Sequence, residues 1–456
     1  MMMLSEITKA VGGKLRGADV LCTSVGTNSK NIVLNQLFIA IKGERFDGNT
    51  FAQEAIKAGA AASLISTDLA IEPSITVFDT RIALGKLAQH WRKKFDIPLV
   101  AITGSNGKTT TKEMLAAILN AANHRVLATQ GNLNNDIGMP MTLLQLRAEH
   151  TVAVIEMGMN HLGEIAYLTH LACPKVALVN NAGTAHIGEL GSRENIAKAK
   201  GEIYASLDEN GVAVINADDD FADYWKSLNK NKKTITFGLK KQADITATYK
   251  TLDGVSQVNL VTNTGEVSFK LSMLGTHNIS NALAASAAAV ALGVSNADIA
   301  RGLTNMQPVQ GRLQRKAGHN KATVIDDTYN ANPDSMKAAI DVLARCDGSR
   351  IFVMGDMAEL GADAANMHAE IGTYAKQQGI QHFYALGDLS MYAANAFGAG
   401  AQHFGILKPL SIAVLSQMHT DVTVLVKGSR FMQMERLVNE IVVNEIVLIK
   451  KTQESH

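Results

Sequence analysis

The chain has little of what marks extracellular, fibrous or membrane proteins. Its 456 residues include 3 cysteines, 7 prolines and 5% aromatics. Cys22, Cys173 and Cys346 stand far apart and are odd in number. Neither a disulfide framework nor a thiolate metal site is therefore expected, and inert thiols in a reducing compartment fit the pattern. The scarcity of proline and aromatics argues against a proline-rich linker protein and against a base-stacking platform. Charge of one sign is also missing: 43 Lys plus Arg meet 42 Asp plus Glu, a net +1. A protein that neutralised nucleic-acid phosphates would show a basic excess. The longest apolar run, 282–292, is short, Ala-rich and interrupted by Ser286, so no membrane span is expected. The opening MMMLSEITKA carries Glu6 and no apolar leader core, so no signal peptide is expected either. A cytoplasmic protein is the resulting expectation.

Hydrophobic residues at 46% and charged residues at 19% exclude intrinsic disorder. A chain of this length suggests about three domains. Up to residue 96, short apolar runs (36–41, 60–65) alternate with a helical stretch at 50–59, as in a small α/β unit. From residue 97 to 308, buried-strand patterns at 97–103, 152–155, 176–179 and 212–215 alternate with helices, including one at 196–207. That alternation predicts an open, mostly parallel sheet covered by helices on both faces. Residues 245–274 change to alternating polar and apolar positions, which predicts an antiparallel edge or subdomain. A third alternation fills 309–456, with strands at 323–325, 351–354 and 422–426. An amphipathic closing helix is expected over 438–451.

The strongest local signal is Thr103-Gly104-Ser105-Asn106-Gly107-Lys108-Thr109-Thr110-Thr111, between a buried strand and a helix. Glycines let the backbone wrap phosphate oxygens, and the helix N-terminus aims free N–H groups at the same anion. Lys108 would reach the terminal phosphates and the Thr109 hydroxyl would join a Mg²⁺ shell. The general phosphate-loop pattern has a glycine where Ile102 stands, so an idle glycine turn is the competing reading. Glu156, just after a strand at the carboxyl edge of the sheet, is placed to hold Mg²⁺. Taken alone, His186 reads as surface decoration and Lys200 as a solvated helix lysine.

The shortened turn, Glu156, the loop 181–186 and the helix around Lys200, in this order, resemble the Mur ligase family, whose relatives include the folylpolyglutamate synthetases. Leu274-Gly275-Thr276-His277-Asn278-Ile279-Ser280-Asn281 also looks like a family motif. The likeness covers essentially the whole chain. Within the family, stretches 326–336, 354–361 with His368, and 426–430 look like the branch that adds D-alanyl-D-alanine to UDP-N-acetylmuramoyl-tripeptide. The block 37–48 looks like its UDP-binding domain.

The resemblance implies an α/β protein of three domains, 1–96, 97–308 and 309–456. These are a UDP-substrate domain, a central ATP-binding domain of P-loop type and a Rossmann-like C-terminal domain. It implies a monomeric ATP-dependent amide ligase working through an acyl phosphate with two Mg²⁺ ions. Gly104, Ser105, Asn106, Gly107, Lys108, Thr109, Thr110, Asn278, Asn281, Arg312 and Asp327 would hold the nucleotide. Thr109, Glu156, His186 and a carbamylated Lys200 would hold metal, and Lys108, Glu156, His186, Lys200 and Arg312 would act in catalysis. Substrate contacts would come from Asn28, Ser29, Lys30, Asn134, Asn135, Asn330, Asn332, Ser335, Lys427 and Arg430. Lys30 stands where the family usually has arginine, and lysine cannot make the bidentate contact. The rival readings are a folylpolyglutamate synthetase and a non-catalytic nucleotide-gated switch.

Overall fold

The computed structural model describes residues 1–43, 46–252 and 254–443. Glu44 and Arg45 of the UDP-type block, and 444–451 of the expected closing helix, lie outside the described residues. Before them, the final helix is Glu435–Ile441, which buries Leu437, Val438 and Ile441.

The first unit is a sheet ordered Lys14–Arg16, Ser74–Thr76, Ala62–Ile65, Gln36–Ile39, Ser24–Gly26, with its first pair antiparallel and the rest parallel. Gln36–Ile39 and Ala62–Ile65 are buried along their whole length, the property that made them readable as apolar runs. The expected helix at 50–59 starts late: Asp47 caps a 3-10 turn at Gly48–Phe51, and Ala52–Lys57 follows. Thr80–Arg92, capped by Asp79, ties this unit to the next. Trp91 Nε1 donates to Leu146 O at 3.1 Å and Arg92 Nε to Ala172 O at 3.1 Å. One apolar cluster accordingly runs from Met2 to Trp225 across both units.

The central sheet is all parallel, in the order Lys233–Phe237, Val212–Asn216, Val176–Val179, Leu99–Thr103, Val152–Glu156, Val126–Ala128. Its second face is covered by Lys108–Ala121 and the alanine-rich Thr276–Ala291, whose small side chains let it lie close on the first, while Asn296–Thr304 packs on Lys108–Ala121 from outside. Thr246–Leu252, Val255–Thr262 and Gly265–Leu271 form the expected antiparallel sheet. The helix expected over 196–207 instead spans Arg193–Gly201, followed by a 3-10 turn at Glu202–Tyr204. There the Glu202 carboxylate accepts Gly163 N–H and Ala166 N–H at the open end of helix Glu164–Ala172.

The C-terminal sheet runs Gln314–Ala317, Thr323–Asp327, Val422–Lys427, Ser349–Gly355, His382–Leu386, Ala401–Phe404, parallel except for its first strand. Apolar clusters on both faces show helices covering it on each side. The carboxyl ends of this sheet and of the central sheet face a common cleft, lined by residues that follow Thr103, Glu156, Asp327, Gly355 and Lys427.

Candidate active site

The phosphate-type turn joins strand Leu99–Thr103 to helix Lys108–Ala121. Gly107 has φ +80°, and a Cβ there would collide with Asn281 Oδ1 and Asn180 Nδ2, so this position needs glycine. Those two amides belong to a network that holds the turn. Asn180 Nδ2 donates to Asn106 O and to Asn281 Oδ1, both at 2.9 Å, and Asn181 Oδ1 accepts Asn106 N–H at 2.9 Å. Asn281 Nδ2 in turn donates to Asn278 Oδ1 at 3.0 Å, and Ser105 Oγ accepts Gly183 N–H at 3.0 Å. Lys108 Nζ donates to Gly104 O at 2.8 Å, and burial pushes its ammonium below the ordinary lysine value against the pull of Glu156.

Beside Lys108 lies a pair of hard oxygens. Thr109 Oγ1 donates to Glu156 Oε2 at 2.8 Å, and Asn134 Nδ2 donates to Glu156 Oε1 at 2.7 Å. Thr129 Oγ1 accepts the Glu156 N–H at 2.9 Å. Asn135 sits further from the chemistry, its Oδ1 accepting Gly138 N–H at 2.8 Å to start helix Gly138–Leu143. Among the described residues, no three His, Cys, Asp or Glu side chains gather closely enough to hold a metal. Thr109 and Glu156 nonetheless fit one side of a Mg²⁺ shell, which takes few protein oxygens and completes itself with phosphate and water. Lys200 is 2% exposed, and burial together with the positive Lys108 pushes its amine well below the ordinary lysine value.

The C-terminal unit touches this machinery directly. Asn332 caps helix Pro333–Ala344 in a capping box with Ser335, while its Nδ2 donates to Asn106 Oδ1 at 2.8 Å. Asp334 Oδ2 accepts Thr184 N–H at 2.7 Å and Thr184 Oγ1–H at 2.9 Å. Glu359 Oε2 lies 2.7 Å from His186 Nδ1. That contact with His186 holds the Glu359 carboxyl below its usual range, against the opposing effect of its partial burial. The Arg312 guanidinium stacks 4.1 Å over the Tyr329 ring. Asn330 Oδ1 accepts Arg430 N–H at 3.3 Å, and the Arg430 guanidinium pairs with Glu435 at 2.8 Å.

Two cavities flank the phosphate turn. One of about 1050 Å³ is lined by Lys108, Thr109, Asn134, Asn135, Glu156, His186, Asn330, Asn332, Glu359 and Arg430. The other, about 560 Å³, is lined by Thr110, Asn181, Asn278, Asn281, Asp327 and Lys427. Asn106, Gly107, Thr184, Arg312 and Ser335 border both.

Five of the sequence candidates line neither cavity: Gly104 and the buried Lys200 in the central unit, and three residues of the first unit. Asn28, Ser29 and Lys30 form a loop of the first unit in which Asn28 Oδ1 accepts Lys30 N–H at 3.0 Å, and none of them lines either space. Lys427, grouped by sequence with the dipeptide contacts, faces the smaller cavity. Its Nζ is 2.6 Å from Asp327 Oδ2 and 2.9 Å from Asn330 O, and burial pushes the ammonium below its ordinary value even so. Asn180, Tyr329, Asp334 and Glu359 were missed. An acid inside a glycine-punctuated motif after a strand was the available signal for Glu359.

Family models match most of the chain: "Mur ligase family, catalytic domain" over 22–92, "Mur ligase middle domain" over 102–289, and "Mur ligase, glutamate ligase domain" over 311–430. A UDP-N-acetylmuramoyl-tripeptide–D-alanyl-D-alanine ligase of Escherichia coli is 43% identical over 96% of this chain and 98% of its own. MurF of Acinetobacter baumannii superposes with a TM-score of 0.90 at 36% identity, over 96% of this chain and 97% of its own. MurF of Thermotoga maritima, solved with ADP, does so at 0.82 and 28%, over 91% and 96%. A folylpolyglutamate synthase of Mycobacterium tuberculosis shares the fold at 18% identity and 0.64, over 79% of this chain. Among the described residues, no helix is long and apolar enough to cross a membrane.

Proposed function

The chain belongs to the Mur ligase family, and from that premise we propose that it joins D-alanyl-D-alanine to UDP-N-acetylmuramoyl-tripeptide, driven by ATP. The observation that carries the reading is the pair of cavities meeting at Gly107 and Arg312. A nucleotide in the smaller space would push its terminal phosphate past the turn into a larger space with room for a peptide carboxylate. The folylpolyglutamate alternative retains only a common fold.

The roles follow from placement. Asn278, Asn281 and Asp327 line the nucleoside side, with Lys427 holding Asp327 in position. Gly104 to Thr110 wrap the phosphates. Lys108 leaves Gly104 O for the γ-phosphate, and Arg312, bordering both cavities, meets the same charge. The tripeptide carboxylate and the γ-phosphate are both anionic, so this positive charge offsets their repulsion. A carboxylate oxygen attacks the γ-phosphorus, and the bond to ADP breaks with its electron pair leaving on ADP. The dipeptide nitrogen then attacks the acyl carbon, its carbon–oxygen bond to phosphate breaks, and a proton leaves the nitrogen. Asn134 and Asn135 shape the acyl end, while Asn330, Asn332, Ser335 and Arg430 face the dipeptide. The N-terminal unit, with Asn28, Ser29 and Lys30, would take the UDP end.

Thr109, Glu156 and His186 are the residues that would hold Mg²⁺, whose charge would further screen the phosphates. Lys200 joins them on one condition. Its burial beside Lys108 favours the neutral amine, the form whose nitrogen attacks the carbon of CO₂ and loses a proton to give a carbamate. Boundaries near residues 96 and 308, a single-chain active site and cytoplasmic residence complete the proposal.

The test is mass spectrometry of an incubation with UDP-tripeptide, D-alanyl-D-alanine and ATP. Pentapeptide product, ADP and phosphate in equal amounts are expected. ADP formed without pentapeptide, or no dependence on dipeptide, would overturn it.

A further inference from the structure

Glu359 occupies a conformation that nothing in its own sheet requires. It lies in the loop after strand Ser349–Gly355 and is a non-glycine residue at φ +63°, the left-handed region. The loop is fixed on every side. Met357 N–H donates to His368 Nε2 at 2.9 Å, Ala358 N–H donates to Ser429 Oγ at 2.9 Å, and Glu359 O accepts Gly188 N–H at 3.1 Å. The outcome is a carboxylate, its side chain 48% exposed, carried across to the wall of the large cleft beside His186.

Among the described lining residues from the C-terminal unit, Glu359 is the one acid, accompanied by the cations Arg312 and Arg430. The other acids of the cleft are engaged. Asp136 pairs with Arg81, Glu156 accepts from Thr109 and Asn134, and Glu164 accepts Asn160 N–H. Among the described residues, His186 is the side-chain partner of the Glu359 carboxylate, and an ammonium with three donors can replace it.

We propose that Glu359 receives the α-ammonium of the incoming dipeptide and, once one proton has passed to water, holds the neutral amine with its lone pair toward the acyl carbon. The inference rests on the ligase reading and adds a residue to it. The zwitterionic dipeptide then has an anion for its amine, and Arg430, on leaving Glu435, is the nearby cation for its carboxylate.

The experiment compares the full-length wild type, Glu359→Gln and Glu359→Asp. It reads KM for D-alanyl-D-alanine, KM for ATP, and inhibition by N-acetyl-D-alanyl-D-alanine, which has no ammonium. In Glu359→Gln the dipeptide KM should rise about 10- to 100-fold, as for a lost hydrogen bond to a charged group. Inhibition by the acetylated dipeptide should move less than about 2-fold, and Glu359→Asp should recover part of the loss. An unchanged dipeptide KM would overturn the inference. So would an equal weakening of ATP, dipeptide and acetylated dipeptide, which would make Glu359 a closure contact only. If wild type forms no pentapeptide, the ligase reading itself fails, an outcome visible before any variant is made.

Discussion

In the central unit, the groups facing the cleft are held by one another. Asn180, Asn181 and Asn281 fix the phosphate turn, and Thr109, Asn134 and Thr129 fix Glu156. In the C-terminal unit, three groups beyond the sheet, on a loop or at the start of helix Pro333–Ala344, find partners on the central unit. Asn332 reaches Asn106, Asp334 reaches Thr184 and Glu359 reaches His186. The first set needs no contact between the units, and the second consists of such contacts. The shape of the phosphate turn is therefore intrinsic to one unit, with Arg312 added from the other, whereas the contacts to Asn106, Thr184 and His186 need both units together. That division suits chemistry in which the acyl phosphate must be kept from water until the amine is in place.

Substitutions on the two sides should separate these behaviours. Lys108→Ala should show the largest effect, a loss of about 10³-fold in turnover, with thermal stability little changed because a buried charge is removed rather than stranded. Steady-state assay beside a melting curve checks it, and retained activity would break the distinction. Lys427→Met should act on stability instead. It leaves Asp327 buried without its cation, which costs about 3–5 kcal/mol in denaturant unfolding. A KM effect on dipeptide at full stability would return Lys427 to the substrate contacts.

Asn332→Ser keeps a capping oxygen and deletes only the donor to Asn106, so stability should hold within about 0.5 kcal/mol. Asn332→Ala also loses the cap, about 1 kcal/mol. Both should weaken closure, read as a wider solution radius with ATP bound. The smallest effect concerns His368, which supports the Glu359 loop. Its Nδ1–H donates to Ala364 O at 2.7 Å and its Nε2 accepts Met357 N–H, so the folded ring is neutral, and burial lowers its pKa below 6.5. The unfolded chain takes up the proton first as pH falls. The stabilisation is thus full above about pH 6.5 and declines as pH drops toward the folded value. Melting temperatures at about pH 7.5 and 5.5 should differ more for wild type than for His368→Gln, with buried His277 adding equally to both.

The same contrast explains what could be read without coordinates. The phosphate turn is contiguous: strand, glycines, Lys108 and helix lie within a dozen residues, and each imposes a local rule. The strands at 99–103, 152–156 and 176–179 were readable because parallel strands buried on both faces become unbroken apolar runs. Half-exposed Gln314–Ala317 and Ala401–Phe404 carry no such signature. Glu359 and Asp334 matter through partners more than 140 residues away, and no local pattern encodes such a pairing. Lys200 shows the limit from the other side, since its helix reads as solvated while the fold buries it.

The most direct measurement follows oxygen. UDP-N-acetylmuramoyl-tripeptide carrying ¹⁸O in both oxygens of its reacting carboxylate is turned over with ATP and D-alanyl-D-alanine. If the carboxylate is phosphorylated, each phosphate released carries one ¹⁸O and the new amide keeps the other. Phosphate without label, with pentapeptide formed, would contradict an acyl phosphate and the account built on it.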